Sequence, residues 1–390
     1  MLVLSESETL AMARRSRELK AQGKDVISLS IGEPDYDTPE FLKESAYKAI
    51  RENFTHYTPV AGFQELREAA ALKFKRDNNI SYKAEQIVVS TGAKQSIANA
   101  IMSLVDVGDE VLLPAPYWVS YIEMVKLAGG TPRVVYAGLE HDFKVNPEML
   151  RPFINKKTRM IVFSSPCNPT GSVYSREELK ALASLLSAYP ELIIISDEIY
   201  EHINFGEQHC SIASFDEVYN QTITVNGLSK CFAMTGWRLG YLGAPKWIAD
   251  ACDKFQGQIT SGTNSIAQRV AIDALLADPK VIQPMVEGFH KRRDLMYGLL
   301  KEIKGLGVNI PKGAFYFFPD VSAFLGKSNG TTRIDTPQEL TMYLLNEHLL
   351  ATVGGEAFGC EKSIRLSYAT SEEQIIESVK RLKAGLEALQ

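Results

Sequence analysis

Val225-Asn226-Gly227-Leu228-Ser229-Lys230-Cys231-Phe232-Ala233-Met234-Thr235-Gly236-Trp237-Arg238-Leu239-Gly240-Tyr241 is the stretch from which the rest of this chain is best read. Lys230 follows the apolar run Thr222 to Val225, which reads as a buried strand. An ammonium at the end of a core strand is desolvated, which lowers its pKa and frees the amine as a nucleophile or Schiff-base former. A lysine that snorkels from the strand end to water is the bland alternative. Taken alone, the residue favours that alternative, so the argument turns on what else gathers at the same edge.

From about residue 40 the pattern repeats apolar strand, loop and amphipathic helix, the rhythm of a mostly parallel sheet covered by helices on both faces, an α/β fold. The expected strands are Gln86 to Ser90, Glu110 to Leu113, Met160 to Ser164, Leu192 to Ser196 and Thr222 to Val225. In such a sheet, ligands bind outside the carboxyl ends of the strands. The first strand is followed by Thr91-Gly92-Ala93-Lys94-Gln95, a turn opening a helix whose free N–H groups can hold a phosphate. The second leads to Pro114-Ala115-Pro116-Tyr117-Trp118, where the indole of Trp118 either stacks on a flat ring or packs in the core. The third leads to Ser165-Pro166-Cys167-Asn168-Pro169-Thr170-Gly171, a locked turn presenting the Asn168 amide, or a plain Asx turn. After the fourth comes Asp197-Glu198-Ile199-Tyr200, a carboxylate that needs a cationic partner if it is buried and ionised, or else a helix N-cap. After the fifth come Lys230 and, eight residues on, Arg238. A phosphate site, a stacking ring, a buried anion, a phenol and an amine at one edge describe a pyridoxal phosphate pocket.

The flanks have a different texture. Residues 7 to 22 alternate at helical spacing and form an arm, and Val26 to Ile31 leads into the turn Gly32-Glu33-Pro34-Asp35. The arm's apolar face must be buried, over the site or across a partner. Residues 280 to 304 read as a long helix interrupted early by Pro284, followed by strand-like Ala314 to Pro319 and Ser363 to Ser367 and a closing helix from Glu372. The expected division is an arm and part of a small domain in 1–45, a large cofactor domain in 46–285 and a small α+β domain in 286–390.

Composition excludes several classes. The chain has 390 residues and a net charge of −5, with acidic and basic residues interspersed and no basic stripe for nucleic acid. Its five cysteines, Cys167, Cys210, Cys231, Cys252 and Cys360, are scattered without C-x-x-C spacing, so neither a disulfide framework nor a metal site is expected. Neither a leader nor a membrane span stands out, and a soluble, unprocessed cytoplasmic protein is expected.

Taken together, Ser229-Lys230 through Gly240, Asn168-Pro169-Thr170-Gly171, Asp197-Glu198-Ile199-Tyr200, Tyr57-Thr58-Pro59 with Gly62, and Ile364-Arg365-Leu366-Ser367-Tyr368 resemble the fold-type I, class I aminotransferases nearly from end to end. Within them the chain is most similar to the bacterial aspartate branch, which includes prephenate and broad-specificity members. The resemblance implies pyridoxal 5′-phosphate as cofactor, a small domain built from both chain ends, and a homodimer with shared sites. It also implies a ping-pong exchange between aspartate and 2-oxoglutarate, with small amino and 2-oxo acids as the only other partners. By resemblance Lys230 bonds the cofactor aldehyde and then shuttles a proton, with Ser229 beside it. Asp197 pairs with the pyridine N–H, Tyr200 and Asn168 donate to the ring oxygen, and Trp118 stacks on the ring. Gly92, Ala93, Lys94, Arg238 and a partner-supplied Tyr57 hold the phosphate. Arg365 takes the substrate α-carboxylate, aided by Asn168 and the backbone at Gly32.

The resemblance also shows departures. Gly227 stands where serine is often found, and Cys167 where asparagine is usual. The stretch Phe255 to Gln268, where animal-type members carry an arginine for the second carboxylate, has no arginine or lysine. Lys94 occupies the position that serves this role in the bacterial branch, whereas a basic residue some members carry near the N-terminus aligns with Ser5. Relatives that eliminate sulfur from amino acids, or cyclise S-adenosylmethionine, share most of these residues; Lys94 argues against them. A regulator using this fold as a sensor needs a DNA-binding domain ahead of Gly32-Glu33-Pro34-Asp35, and about thirty residues are too few for one.

Overall fold

The computed structural model describes residues 7–206 and 208–390, so Ser5 lies outside the described residues. The strands in chain order are β1 (Ile27–Ser28), β2 (Ile87–Ser90), β3 (Glu110–Ala115), β4 (Thr131–Tyr136), β5 (Thr158–Ser164), β6 (Ile193–Asp197), β7 (Thr222–Gly227) and β8 (Gly240–Gly243). Beyond them lie β9 (Tyr316–Phe317), β10 (Lys327–Ser328), β11 (Arg333–Ile334), β12 (Leu350–Ala351), β13 (Val353–Gly354) and β14 (Ile364–Ser367).

One sheet of seven strands, ordered β2-β8-β7-β6-β5-β3-β4, forms the scaffold. Its pairs β3–β4, β3–β5, β5–β6 and β6–β7 are parallel, and β8 runs antiparallel to both β2 and β7. All strands except β8 therefore point the same way and deliver their carboxyl ends to one edge. Every residue of β2, β6 and β7 is buried, because helices cover both faces and the strands can be apolar throughout. All five expected large-sheet strands are present, each with ends within two residues of the reading.

Two strands escape that reading. β4 is an edge strand, largely exposed and carrying Pro132, so it lacks a continuous apolar run. β8 is short and bounded by glycines, and neither position has room for a side chain. A Cβ on Gly240 would collide with the Ala93 backbone nitrogen, and one on Gly243 with the Tyr82 ring. Gly240 thus lets β8 pass against the start of the helix Ala93–Leu104.

Outside the large sheet, β13, β14 and β9 form an antiparallel sheet, β10 and β11 a hairpin, and β1 pairs in parallel with β12, Ile27 opposite Leu350. The segment before residue 30 therefore joins structure formed by the last part of the chain. The helix Glu8–Ala21 buries Met12 in a cluster with Val26, Leu345 and Ala351. The apolar face of the arm is thus satisfied within its own chain, and burial does not require a partner. Pro284 starts a helix rather than interrupting one, since it lies in the first turn of Gln283–Leu300, where its missing N–H has no intrahelical acceptor to lose. The closing helix, Glu372–Glu387, is capped by the Ser371 hydroxyl, which accepts from the Gln374 amide.

Candidate active site

Lys230 lies three residues beyond β7 and is half-buried, and its Nζ donates to the Gly32 carbonyl at 2.6 Å. Burial lowers its pKa to about 8, with Glu33 pulling upward and Arg365 and Arg238 pulling further down. The amine faces the Tyr200 and Phe315 rings at 5.9 and 6.0 Å from their centroids. It does not snorkel to water.

Asp197 is the last residue of β6 and is buried. Tyr121 Oη donates to its Oδ2 at 2.7 Å and the Ile199 amide to its Oδ1 at 3.2 Å. Burial pushes the carboxyl up to about 6, and the Tyr121 and Ile199 hydrogen bonds only partly oppose it. The cationic partner expected from the sequence is missing: among the described residues no cation forms an ion pair with Asp197. Nor is it an N-cap, because no helix of the described residues starts there.

Arg365, on β14, is 1 % exposed, so the face left open by its alternation pattern is the interior. Nη1 donates to Asn168 Oδ1 at 2.9 Å and Nη2 to the Ser30 carbonyl at 2.6 Å. Within the chain the Ser30 carbonyl supports Arg365, and the Gly32 carbonyl accepts from Lys230. Nε is buried with no partner, and no carboxylate pairs with the guanidinium among the described residues. The cation lies over the faces of Tyr316, at 4.8 Å, and Phe358, at 5.0 Å.

The turn Thr91 to Gln95 opens the helix Ala93–Leu104, as the sequence suggests. Gly92 has φ +84°, and its missing side chain admits the Arg238 guanidinium, which would collide with any Cβ there. Arg238 Nη1 donates to the Thr235 carbonyl at 2.9 Å. The Ala93 and Lys94 amides open the twelve-residue helix without an acceptor among the described residues. Two free amides, a helix dipole and an exposed guanidinium make an anion cradle. Lys94 Nζ sits 5.0 Å over the half-buried Trp118 ring, its pKa lowered by desolvation against the protein and then by Arg238. Ser229 is half-buried beside Lys230, and Asn168 is buried. Gly227 is tightly enclosed, since a Cβ would lie 3.0 Å from the Leu239 carbonyl oxygen. Cys167 donates weakly to the Pro116 carbonyl and holds no ligand position. Tyr57 is fully exposed at 102 %.

Several residues went unread. Tyr121 follows Trp118 by three positions, a helical spacing that brings their rings to 5.5 Å. Tyr316 shares a 2.7 Å hydrogen bond with Tyr200, whose own hydroxyl is held far above its usual pKa chiefly by burial. Behind Asp197 lies a buried polar network. Lys73 pairs with Glu201, Asn78 donates to both Glu198 and Glu201, and Glu198 also contacts His209, Ser196 and Ser211. Asp77, Glu201 and His202, and likewise Glu198, Glu201 and His209, have the spacing of metal ligands. Lys73 already supplies a cation there: burial would raise Glu201, but Lys73 and the two histidines hold it well below its usual pKa.

A desolvated amine between a buried carboxylate and a buried guanidinium, beside an anion cradle, equips an enzyme to bind a carbonyl compound and to hold a carboxylate. A family model described as aminotransferase class I and II matches residues 24–382, and the chain belongs to that family. It is 45 % identical over 385 residues to a bifunctional aspartate aminotransferase and glutamate/aspartate-prephenate aminotransferase of Petunia hybrida, covering 97 % of this chain and 80 % of that one. It is 44 % identical to a probable aspartate/prephenate aminotransferase of Rhizobium leguminosarum bv. phaseoli, covering 97 % and 95 %. Among solved structures, the aspartate aminotransferase of Rhizobium meliloti superposes with TM-score 0.96 at 39 % identity, over 99 % of this chain and 98 % of that one. The Thermus thermophilus aspartate aminotransferase with maleate gives 0.92 at 39 % identity, over 98 % of each chain. The protein is an aminotransferase of fold-type I.

Proposed function

We propose that the chain is a pyridoxal-phosphate-dependent transaminase that passes an amino group between L-aspartate and 2-oxoglutarate by a ping-pong route. The observation that carries this reading is the pair of uncompensated buried charges, Asp197 and Arg365, both of which act on the Lys230 amine. Burying a lone charge costs several kcal/mol unless something pairs with it. A protonated pyridine nitrogen fits Asp197, a carboxylate fits Arg365, and a phosphate dianion fits the cradle of Ala93, Lys94 and Arg238.

When bound, the cofactor supplies an aldehyde and an electron-accepting ring. The protein does the rest. The low pKa of Lys230 keeps a useful fraction of free amine near neutrality, so that it would serve as the group that holds the cofactor aldehyde and as the base for the substrate Cα proton. Asp197, oriented by the Tyr121 hydroxyl, would keep the ring nitrogen protonated. Tyr200 and Asn168 would hold the ring oxygen, and Trp118 would cover the ring. Asn168 and Ser30 lock the Arg365 fork so that it meets the α-carboxylate at two points. Lys94 takes the second carboxylate, in keeping with relatives named for aspartate and with the dicarboxylate maleate in the Thermus structure. The prephenate in several relatives' names supports a second reading in which the same pocket accepts larger substrates.

Tyr57 is fully exposed, and we assign it to a partner's phosphate in a homodimer with shared sites. The division at residues 45 and 285 and a cytoplasmic setting, where five free cysteines stay reduced, belong to the same proposal. Among the described residues no helix is long and apolar enough to cross a membrane. The test is a rapid-mixing absorbance scan of the cofactor-loaded protein with aspartate, glutamate, phenylalanine or alanine. Conversion of the cofactor band with the first two is expected. Fast conversion with phenylalanine or alanine but not with aspartate would overturn the dicarboxylate assignment.

A further inference from the structure

Tyr200 Oη and Tyr316 Oη lie 2.7 Å apart, and both side chains are buried. Neither hydroxyl has another hydrogen-bond partner among the described residues. Two phenols in contact share one bond, so one hydrogen lies between the oxygens and one is left over. Which oxygen keeps the spare hydrogen decides what Tyr200 can do.

Two observations break the symmetry. The Arg365 guanidinium stands 4.8 Å over the Tyr316 ring, and a cation on a phenol's face draws electron density from its oxygen. That makes Tyr316 the better donor and the poorer acceptor; Arg365 lowers the proton affinity of both phenols, but its guanidinium stands over the Tyr316 ring alone of the two. On the other side, the Tyr316 hydroxyl presses on Gly32, where any Cβ would collide with it, so the backbone closes the approach to that oxygen. Tyr200 instead lies beside Lys230, whose Nζ is 5.9 Å from its ring centroid.

We propose that Tyr316 is a positioning residue: it donates to Tyr200, and so reserves the Tyr200 hydrogen for the ligand bound beside Lys230 and makes Tyr200 a stronger donor to it. The proposal rests on the site reading above, in which Tyr200 donates to an anionic oxygen of the cofactor. Hydrogen bonds in series polarise one another, and each link strengthens the next by a modest fraction. The same contact ties Tyr200 to the carboxylate site, because a substrate carboxylate that neutralises Arg365 removes the charge that polarises Tyr316. Carboxylate binding thereby weakens the Tyr200 donation and raises the proton affinity at the lysine linkage, which helps hold the transferable proton in the site.

The test is the pH midpoint of the visible absorbance of the substrate-free, cofactor-loaded protein. It is measured in the parent, Tyr316→Phe, Tyr200→Phe and the double variant. Phenylalanine keeps the ring at 316 and its stacking on Arg365, and removes the hydroxyl together with its contact at Gly32. Tyr200→Phe is expected to raise the midpoint clearly, and Tyr316→Phe to raise it by roughly a few tenths of a unit. In the Tyr200→Phe background, Tyr316→Phe is expected to add nothing, the signature of one coupled path. An unchanged midpoint in Tyr316→Phe, or an equal shift in both backgrounds, overturns the proposal. If Tyr200→Phe leaves the midpoint in place, the reading of Tyr200 fails and the proposal falls with it.

Discussion

Asp197→Asn should stabilise the cofactor-free protein, and by an amount that depends on pH. The carboxyl titrates near 3.8 in an unfolded chain and near 6 in the fold, raised chiefly by burial. Because the folded value is the higher one, the unfolded chain gives up this proton first as pH rises. The residue therefore costs nothing below about pH 4, costs progressively more between about 4 and 6, and holds a constant penalty above that. With 1.36 kcal/mol per unit, the penalty is about 1.6 kcal/mol at pH 5 and about 3 kcal/mol at pH 8. Asparagine does not titrate, and its amide oxygen can still accept from the Tyr121 hydroxyl that now donates at 2.7 Å. The absolute gain also contains any change in that bond, whereas the pH dependence does not. Urea unfolding of cofactor-free parent and variant, at one fixed protein concentration, should show the variant's advantage growing by about 1.4 kcal/mol from pH 5 to pH 8. Bound cofactor should reverse the ranking, since it supplies the missing cation. A gap between parent and variant that is the same at both pH values would refute the claim that Asp197 is an uncompensated buried carboxylate.

Lys230→Ala should lower kcat/KM by more than about 10³-fold, because nucleophile and proton carrier are lost together, and mass spectrometry after borohydride reduction should show no cofactor mass retained. Arg365→Lys keeps the charge but loses the fork that Asn168 and Ser30 orient; kcat/KM for every amino acid tested should fall by about 10- to 100-fold, and a folded variant with unchanged kcat/KM contradicts the assignment. Lys94→Ala should weaken dicarboxylic substrates by about 10- to 100-fold while sparing alanine, and an equal loss for both classes would move Lys94 to the phosphate alone.

What could be read ahead of the structure followed from burial on both faces of the sheet. β5, β6 and β7 show as apolar runs because helices cover each side, and Lys230 and Asp197 show because a charge at the end of such a run needs a reason. β8 could not be seen: it is four residues long, and Gly240 and Gly243 are there for close approach to Ala93 and Tyr82, contacts distant in sequence. β4 hides for the opposite reason, as an exposed edge needs no apolar pattern. Tyr121 and Tyr316 read as ordinary core aromatics, and only the fold brings their hydroxyls to Asp197 and Tyr200. The Ser30 carbonyl leaves no trace in side-chain chemistry at all. Asn168 was legible as an amide presented by a locked turn, but its partner, Arg365, lies 197 positions away.

The polar network behind Asp197 shows why its isolation is informative. Asp197 and Glu198 are consecutive in extended chain, so their side chains leave opposite faces. Glu198 turns toward His209, Ser196, Ser211 and Asn78, and through Asn78 toward the Lys73–Glu201 pair, where every charge meets a partner. Asp197 turns the other way and receives one phenol and one amide. The chain therefore can compensate buried carboxylates at this depth, and does so one residue away. On the opposite side of the site Arg365 repeats the pattern with the sign reversed, held by neutral oxygens and capped by aromatic faces. A salt bridge within the protein would relieve either charge and at the same time block it. Leaving both open lowers the stability of the empty fold and directs that free energy into binding a molecule that brings a cation to one side and an anion to the other.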